Sequence, residues 1–538
     1  MTVLPTRDLV PAALRRWWSA AGPYPGADLF TLFDRHAAAH PQRAAVIDDD
    51  GALTYAALRE RALRLAGGLR AAGVRPGEVV AIQLPNGWRA VAADLAVAAL
   101  GAVALPYPIG RGRRDTRALL GRSRAAAAVV PDKYGDTSPA RVLRALAPEL
   151  PDLRAVVVAG GGPGSLEALA ADAAPVEPVP ADPAGPARIL VSSGSEAAPK
   201  MIAYSHDALA GGRGAFIAGL HHGAEPMRNL FLVPLASSFG SSGTAVTLAR
   251  HGGTLIVQGR FDPVRALDLI DGARPHLVFG VPTMFAMMLA EPRLDSIDTS
   301  SLRAIVAGGS RVDPATVDGC RERFGAAYVN CYGSADGVNC TTDPADPPAD
   351  VHTAVGRPNP AVAAIRVVGE DGRDVPAGGV GEIWGLGPMS PLCYVDPAFD
   401  ARYRTAGGWV RTGDLGRFDA AGYLHVVGRK HEVVIRGGRN LSPVEVELLL
   451  AQHPDVTQVA CLGVPDPLMG ERMAACVALR PGTALTLAAA AEYLTDAHGL
   501  ERAKLPEVWR VFDRLPLSAA GKIDKRGLWE ALAAGAAG

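Results

Sequence analysis

Several things are scarce in this 538-residue chain, and each scarcity removes a class of function. Charge of one sign is missing: 54 Lys and Arg stand against 55 Asp and Glu, a formal net charge of -1. A chain so balanced carries no electrostatic footprint for nucleic acid or for an anionic membrane surface. Cysteine is sparse, six residues with no CxxC pair and no histidine spacing suited to zinc. That usage reads as reduced thiols in a cytoplasmic protein. The N-terminus lacks a basic-then-apolar leader with a small-residue cleavage site, and Leu14 to Ala20 reads instead as a short amphipathic helix. The most apolar long stretch, Ala90 to Pro108, contains Asp94 and is stopped by Pro106, so a buried helix and a strand explain it better than a bilayer span. There is no internal repeat. The loop Gly160 to Ser165 (GGGPGS) lacks the Lys-Ser/Thr that completes a Walker A loop, and with the Pro and Ala clusters up to Pro186 it reads as a flexible connector.

What is present is an ordinary globular composition, 49% hydrophobic and 20% charged. The length suggests roughly three or four units of about 150 residues. Thr54 can cap a helix whose apolar face is Leu58, Ala62, Leu65 and Leu69, and Gly73 stands where a left-handed C-cap belongs. Val79 to Leu84 and Val103 to Leu105 read as buried strands around the Ala-rich helix. Further short apolar runs follow at Val156, Ile189, Leu230, Leu255, Leu277, Ile305 and Tyr328. Strand, helix, strand in this rhythm implies parallel sheets covered by helices, with chemistry where strand C-termini feed their loops. After about Pro358 the texture changes to short strands and Gly-rich turns, a small β-rich subdomain. Past Gly428 it changes again: a capped helix at Ser442-Pro443, strands near Val459, Ala474 and Val508, and a helix from Thr486. The expected architecture is α/β: a large N-terminal domain, residues 1–429, of two α/β-layered sheets plus the β-rich subdomain. A small mobile α+β domain, residues 430–538, follows.

Five stretches carry chemistry. Ile189 to His206 (ILVSSGSEAAPKMIAYSH) is a strand that ends in Ser192, Ser193, Gly194 and Ser195, with Lys200 close behind. Exposed backbone N–H groups, hydroxyls and a mobile positive charge make a cradle for phosphate oxygens, although a polar surface loop containing a lysine has the same look. Tyr332-Gly333-Ser334-Ala335-Asp336 puts an aromatic face and a carboxylate at a strand end. Arg411-Thr412-Gly413-Asp414-Leu415 holds a carboxylate in a tight turn. Gly428-Arg429-Lys430-His431-Glu432 marks the inter-domain joint, and Pro516 to Lys522 presents a lysine on a small-residue loop. Singly each is weak; their order along the chain is the stronger signal.

This ordered set resembles the adenylate-forming superfamily: acyl-CoA synthetases, luciferases and the adenylation domains of nonribosomal peptide synthetases. Within it the sequence is most similar to stand-alone aryl-acid adenylating enzymes of the 2,3-dihydroxybenzoate–AMP ligase kind. Leu235 to Phe239, Val306 to Ser310, Tyr332 through Asn339 to Asp343-Pro344, and Arg436-Gly437-Gly438 carry that likeness. The resemblance implies that Ser192, Ser193, Gly194, Ser195 and Lys200 hold the phosphates of ATP. It implies that Tyr332 stacks on adenine, with Gly308, Gly309, Ser310, Asn330 and Gly333 completing the nucleotide site. Asp414 would take both ribose hydroxyls, a bidentate task suited to a carboxylate, with Arg429 near ribose and phosphates. Asp336 stands where a Glu usually helps to hold Mg²⁺. Lys522 would bridge the substrate carboxylate and the α-phosphate, making Lys522, Arg429 and Asp336 the catalytic set. His431 takes the pivot position, where Asp or Lys is usual. The acid pocket implied is Ser237, Ser238, Phe239, Gly243, Gly308 and Val338.

Two departures matter. Glu196 and Ala197 replace the usual Thr-Gly of the phosphate loop, and Met201 replaces the Gly after the lysine. A carboxylate about 5 Å from a phosphate charge, at an effective dielectric of about 20, costs on the order of 3 kcal/mol, so Glu196 points away or joins the Mg²⁺ shell, or ATP binds weakly. Ser237 and Ser238 stand where the dihydroxybenzoate enzymes carry His and Asn, and Leu235 where an Asp often grips an α-amino group. The expectation is an Mg-ATP-dependent ligase that adenylates an aromatic carboxylic acid, an amino- or hydroxybenzoate among the candidates. The acyl group would pass to a phosphopantetheine thiol, on CoA or on a free carrier protein. A non-aromatic acid, a small hydroxyl or amine acceptor, and a non-catalytic binding homologue are the alternatives.

Overall fold

The computed structural model describes residues 4–109, 111–192, 200–309, 313–430, 434–436, 439–466, 470–498, 500, 504–518 and 522–535. Its strands follow from the apolar runs. Val79–Ile82, Val103–Pro106, Thr254–Val257 and Leu277–Gly280 are each buried at every position, which requires cover on both faces. Side chains alternate between those faces: Val80 and Ile82 enter one apolar cluster, Val79 and Ala81 another. The helix Tyr55–Ala71 starts where Thr54 accepts a hydrogen bond from the Ala57 N–H, and Gly73 takes φ 91° just past its end.

Two compact units emerge, Met1–Ile365 with Trp384–Thr412, and Arg366–Ile383 with Gly413–Gly538. The first contains two sheets. One orders its strands Val338–Thr341, Ala327–Ser334, Ala304–Gly308, Leu277–Gly280, Arg228–Phe231, Thr254–Val257, Ala44–Asp48 and Gly51–Thr54. Its pairs are parallel except at the two ends. The other runs Cys393–Tyr394, Met201–Ser205, Pro186–Val191, Val103–Pro106, Val79–Ile82, Ala127–Pro131 and Ala155–Ala159. The helices Leu29–Ala39, Tyr55–Ala71 and Trp88–Ala99 share one apolar cluster with strands of both sheets, among them Phe231, Leu255, Val80 and Leu190. That is the layered α/β domain expected.

A four-stranded sheet, Ala364–Val368, Gly381–Leu386, Val410–Phe418 and Leu424–Arg429, is the β-rich part. The chain crosses between units within three of its strands. In the second unit, Arg439–Leu441, Val434–Arg436, Gly470–Leu479, Val456–Asp466 and Val508–Phe512 form a sheet that is antiparallel except where Val508–Phe512 joins. The helix Pro443–Leu450 begins with Ser442 Oγ accepting from the Glu445 N–H and Pro443 in its first turn. Only half of the capping box closes: the Glu445 carboxylate takes Lys504 instead, at 2.8 Å.

The stretch after Ala159 is not a plain connector. Gly160, Gly161 and Gly162 take φ between 83° and 144°, and the first two donate to Glu167 at 3.1 and 3.4 Å. Ser165 then caps a helix, Leu166–Asp172, that packs on the helix Tyr55–Ala71. The glycines bend the chain so tightly into this helix that composition alone resembles a linker. Six strands without a separate sequence expectation, Ala44–Asp48, Gly51–Thr54, Ala127–Pro131, Met201–Ser205, Val338–Thr341 and Cys393–Tyr394, complete the two sheets.

Candidate active site

In the first unit the strand ends converge on Asp336. Ala327–Ser334 turns back into Val338–Thr341 through Ala335, Asp336 and Gly337, with Gly337 at φ 100°. The Tyr204 hydroxyl, on the strand Met201–Ser205, donates to the Ala335 carbonyl at 2.8 Å and ties the turn to the other sheet. Asp336 is 5% exposed. Ser334 Oγ donates to Asp336 Oδ2 at 2.6 Å, the Tyr394 hydroxyl donates to Oδ1, and Lys200 Nζ lies 3.8 Å from Oδ1. Lys200 also sits over the ring of Tyr403 at 3.6 Å, a cation–π contact that holds the ammonium from its other side. Burial raises the Tyr394 phenol above its ordinary range and the Asp336 charge adds to that, so Tyr394 stays a donor. At the end of the strand Pro186–Val191, Ser192 exchanges bonds with Lys200: its N–H donates to the Lys200 carbonyl at 3.0 Å, and its hydroxyl accepts from the Lys200 N–H at 3.2 Å. Ser193, Gly194, Ser195, Glu196, Ser310 and His431 lie outside the described residues.

The implied acid pocket occupies the neighbouring loop. Residues Val233 to Gly243 follow the strand Arg228–Phe231 and are pinned from two sides. Asn86 bonds both the Val233 carbonyl and the Leu235 N–H, and Arg188 donates to the Leu235 carbonyl at 2.9 Å. Phe239 stands edge-on to Phe279, which stacks on Phe231 at 4.4 Å. A Cβ built on Gly308 would meet Phe239 Cε1 at 3.5 Å and the Cys331 carbonyl oxygen at 3.0 Å, so glycine lets the ring and the next strand approach this closely. Gly243 has another reason to be small: a Cβ there would lie 2.6 Å from Leu235 and 3.2 Å from Leu255, a core contact. Val338 is fully buried against Gly385. Ser237 caps its own turn, donating to the Pro234 carbonyl at 2.7 Å and accepting from the Gly240 N–H at 3.0 Å. Ser238 belongs to Arg213, described below. Asn330 donates to the Ala354 carbonyl at 2.9 Å, fastening the strand, and a Cβ built on Gly333 would lie 3.5 Å from the Asn339 amide nitrogen. Tyr332 is half-buried beside Cys340 on the paired strand.

The second unit holds the other pieces. Asp414 and Arg429 face one another across antiparallel strands, and Arg429 Nε lies 3.0 Å from Asp414 Oδ1. Gly413, at φ 74°, donates to Glu382 at 3.1 Å and accepts from the Lys430 N–H at 2.7 Å. Lys430 Nζ is itself 3.4 Å from Glu382. The carboxylate of Asp414 is thus fixed on a rigid hairpin with only 7% of the residue exposed. Lys522 sits on a loop closed by Ser518: the Lys522 N–H donates to Ser518 Oγ at 3.3 Å, and the Ser518 N–H to the Lys522 carbonyl at 2.6 Å. Its side chain is exposed.

The sequence profile of AMP-binding enzymes matches residues 33–395, and that of the AMP-binding enzyme C-terminal domain matches residues 445–522. This chain belongs to the AMP-binding enzyme family. It is an ATP-dependent acid–AMP ligase, and it uses ATP. Among its relatives, 2-hydroxy-7-methoxy-5-methyl-1-naphthoate–CoA ligase of Streptomyces carzinostaticus is 32% identical over 95% of this chain and 94% of its own. Salicylyl-CoA synthase / salicylate adenylyltransferase of a Streptomyces species is 32% identical over 94% of both. Among solved structures, the amide bond synthetase McbA of Marinactinospora thermotolerans superposes with a TM-score of 0.81 at 30% identity, covering 94% of this chain and 99% of that one.

Three residues that contact the candidate site positions of this AMP-binding enzyme carried no sequence expectation. Tyr394 and Tyr403 lie well outside the motifs, and only their aromatic type hinted at a role. Arg213 sits in a run of small residues, AGGRGAF, with nothing around it to single it out. Among the described residues no three His, Cys, Asp or Glu side chains could hold a metal ion, and no helix is long and apolar enough to cross a membrane. All six cysteines are buried free thiols.

Proposed function

We propose that this enzyme activates an aromatic carboxylic acid to its acyl-adenylate, releasing pyrophosphate, and then passes the acyl group to a phosphopantetheine thiol of CoA or of a free carrier protein. The observation that carries the aromatic reading is the ring of Phe239, packed within contact distance of Gly308 and edge-on to Phe279 at the end of buried strands. The named activities of the naphthoate and salicylate relatives agree with it.

The chemistry asks for positioning and charge neutralisation more than for proton transfer. A carboxylate is already a nucleophile at neutral pH, and its oxygen attacks the α-phosphorus in line with departing pyrophosphate. In this reading Lys200, with the loop Ser192 to Ser195, meets the phosphates. Tyr332 stacks on adenine, lined by Gly308, Gly309, Ser310, Asn330 and Gly333. Asp414 takes the ribose hydroxyls, steered by Arg429, and Lys522 bridges the reacting carboxylate and the α-phosphate. Asp336 offers one hard carboxylate oxygen donor, which fits Mg²⁺ arriving on the nucleotide and does not fit a resident ion, since magnesium takes one or two carboxylates plus substrate phosphates. Bound there, the metal would neutralise phosphate charge. Residues 430–538 act as a lid turning near His431, so that Lys522 serves the first half-reaction and withdraws for the second.

The test is substrate-dependent ATP–pyrophosphate exchange across aryl, amino and fatty acids. Exchange strongest with aryl acids is the expected result, and strongest exchange with medium-chain fatty acids would overturn the aromatic reading. A second reading, transfer to an amine, is favoured by the likeness to the amide bond synthetase. Product analysis with CoA and with amines present together separates the two.

A further inference from the structure

Arg213 is the buried charge that this chemistry leaves unexplained. It opens the helix Arg213–Leu220, directly after a π-helical turn, Ala208–Gly212, and is 5% exposed. Gly212 brings the backbone so close to Met389 that a Cβ would fall 2.1 Å from its nitrogen, so the helix start is locked in place. Arg213 Nη1 donates to the Ser238 carbonyl at 2.7 Å and to Ser241 Oγ at 3.1 Å, and Nη2 donates to Ser238 Oγ at 3.1 Å. Its guanidinium lies 5.2 Å from the ring centroid of Tyr204.

A guanidinium has five N–H donors. Nη1 has used both of its own and Nη2 one, and Nε is buried with no partner at all. What remains without an acceptor is Nε–H, while the Tyr204 hydroxyl is a further oxygen within reach of the guanidinium. Among the described residues no carboxylate pairs with this cation. Hiding a permanent charge without a counter-charge is costly, and bracing a turn through one carbonyl and two hydroxyls needs no charge. The residue it grips, Ser238, adjoins Phe239, which faces Gly308.

Resting on the aromatic-acid reading above, we propose that Arg213 determines specificity by binding an oxygen substituent on the ring of the acid, separate from the carboxylate that reacts. The shared chemistry is an oxygen acceptor, as a hydroxyl, a phenolate or a second carboxylate. Salicylate-type and naphthoate-type acids with a ring hydroxyl belong to this class; plain benzoate does not.

The experiment is ATP–pyrophosphate exchange with the full chain, comparing wild type, Arg213→Gln and Arg213→Lys. The panel is benzoate, the three hydroxybenzoates and the benzenedicarboxylates, the last two groups telling a hydroxyl from a second carboxylate. Wild type is expected to prefer its best oxygen-bearing acid over benzoate by roughly twentyfold or more in kcat/KM, because a site built to bond an oxygen leaves buried donors unpaired without it. Arg213→Gln is expected to shrink that preference below about threefold, chiefly through KM; Arg213→Lys falls between, keeping charge and losing the Nε–H donor. An equal fall across the panel would reduce Arg213 to a brace for the Ser238–Ser241 turn, and an unchanged preference would remove it from recognition; either overturns the proposal. Should Arg213→Gln not fold, the wild-type panel decides alone, since benzoate turned over as well as every substituted ring would also overturn it. Exchange with fatty or amino acids only would bring down the aromatic reading itself, a different pattern from aryl exchange indifferent to Arg213.

Discussion

Three groups surround the buried Asp336 side chain: the Ser334 and Tyr394 hydroxyls and the Lys200 ammonium. The dependence is mutual, for among the described residues Lys200 is held by Asp336 and by the rings of Tyr403 and Tyr394. Asp336→Asn keeps the shape and removes the charge. Its expected outcome is a loss of about tenfold or more in kcat/KM for ATP, with KM for the acid almost unchanged, since one charge-assisted bond is worth ~1.5–3 kcal/mol. Initial-rate exchange kinetics at varied ATP check it, and an unchanged ATP dependence would count against Lys200 being steered by Asp336. Much of this cluster was legible beforehand, because Lys200 and Asp336 stand in motifs with fixed order. Tyr394, Tyr403 and Arg213 were not legible. Their roles come from contacts made across 58 or more residues of chain in the tyrosine case, and no local pattern encodes such a meeting.

At the scale of elements, apolar runs ending in Gly, Ser or Pro located most buried strands, and the capped helices at Tyr55 and Pro443 followed from their first residues. What escaped was built from small residues. Ala127–Pro131 contains too few β-branched side chains to stand out, and the triple glycine before Leu166 imitates a linker. One helix start rests on a titratable group. The Leu29 N–H, at the head of the helix Leu29–Ala39, donates to His206 Nδ1 at 3.1 Å, so that nitrogen must stay unprotonated. Burial lowers the His206 imidazole from its ordinary 6.5 to about 4, partly opposed by the charges of Asp28 and Asp182. Between those values the unfolded chain binds a proton that the folded one refuses, so the contribution is whole above pH 6.5 and is lost as pH falls toward 4. His251, likewise lowered to about 4 chiefly by burial, acts in the same direction. The expected outcome is a melting temperature that declines steadily from pH 6.5 to pH 4; a flat profile across that window would contradict it.

For the whole molecule, the sequence suggested a division at residues 429 and 430, whereas the compact units part at Thr412 and Gly413 with Arg366–Ile383 joining the second, and the family profiles match residues 33–395 and 445–522. The division of labour proposed for Lys522 is open to a direct check. Lys522→Ala is expected to cut adenylation by about a hundredfold or more while leaving transfer from a synthetic acyl-adenylate to the thiol within about threefold, because that lysine serves only the first transition state. Single-turnover measurement of each half-reaction decides, and equal losses in both would mean that no withdrawal of the lysine separates them.

The way the chain threads its two units has a practical consequence. Because Arg366–Ile383 is grouped with Gly413–Gly538, an expressed fragment beginning at Gly413 would omit Glu382, the carboxylate that receives the Gly413 amide and Lys430. The hairpin carrying Asp414 would then be made without its brace. Dissecting this enzyme by gene truncation therefore tests a damaged piece, whereas a protease nick at residue 412 would leave Arg366–Ile383 present to pair non-covalently with the fragment from Gly413.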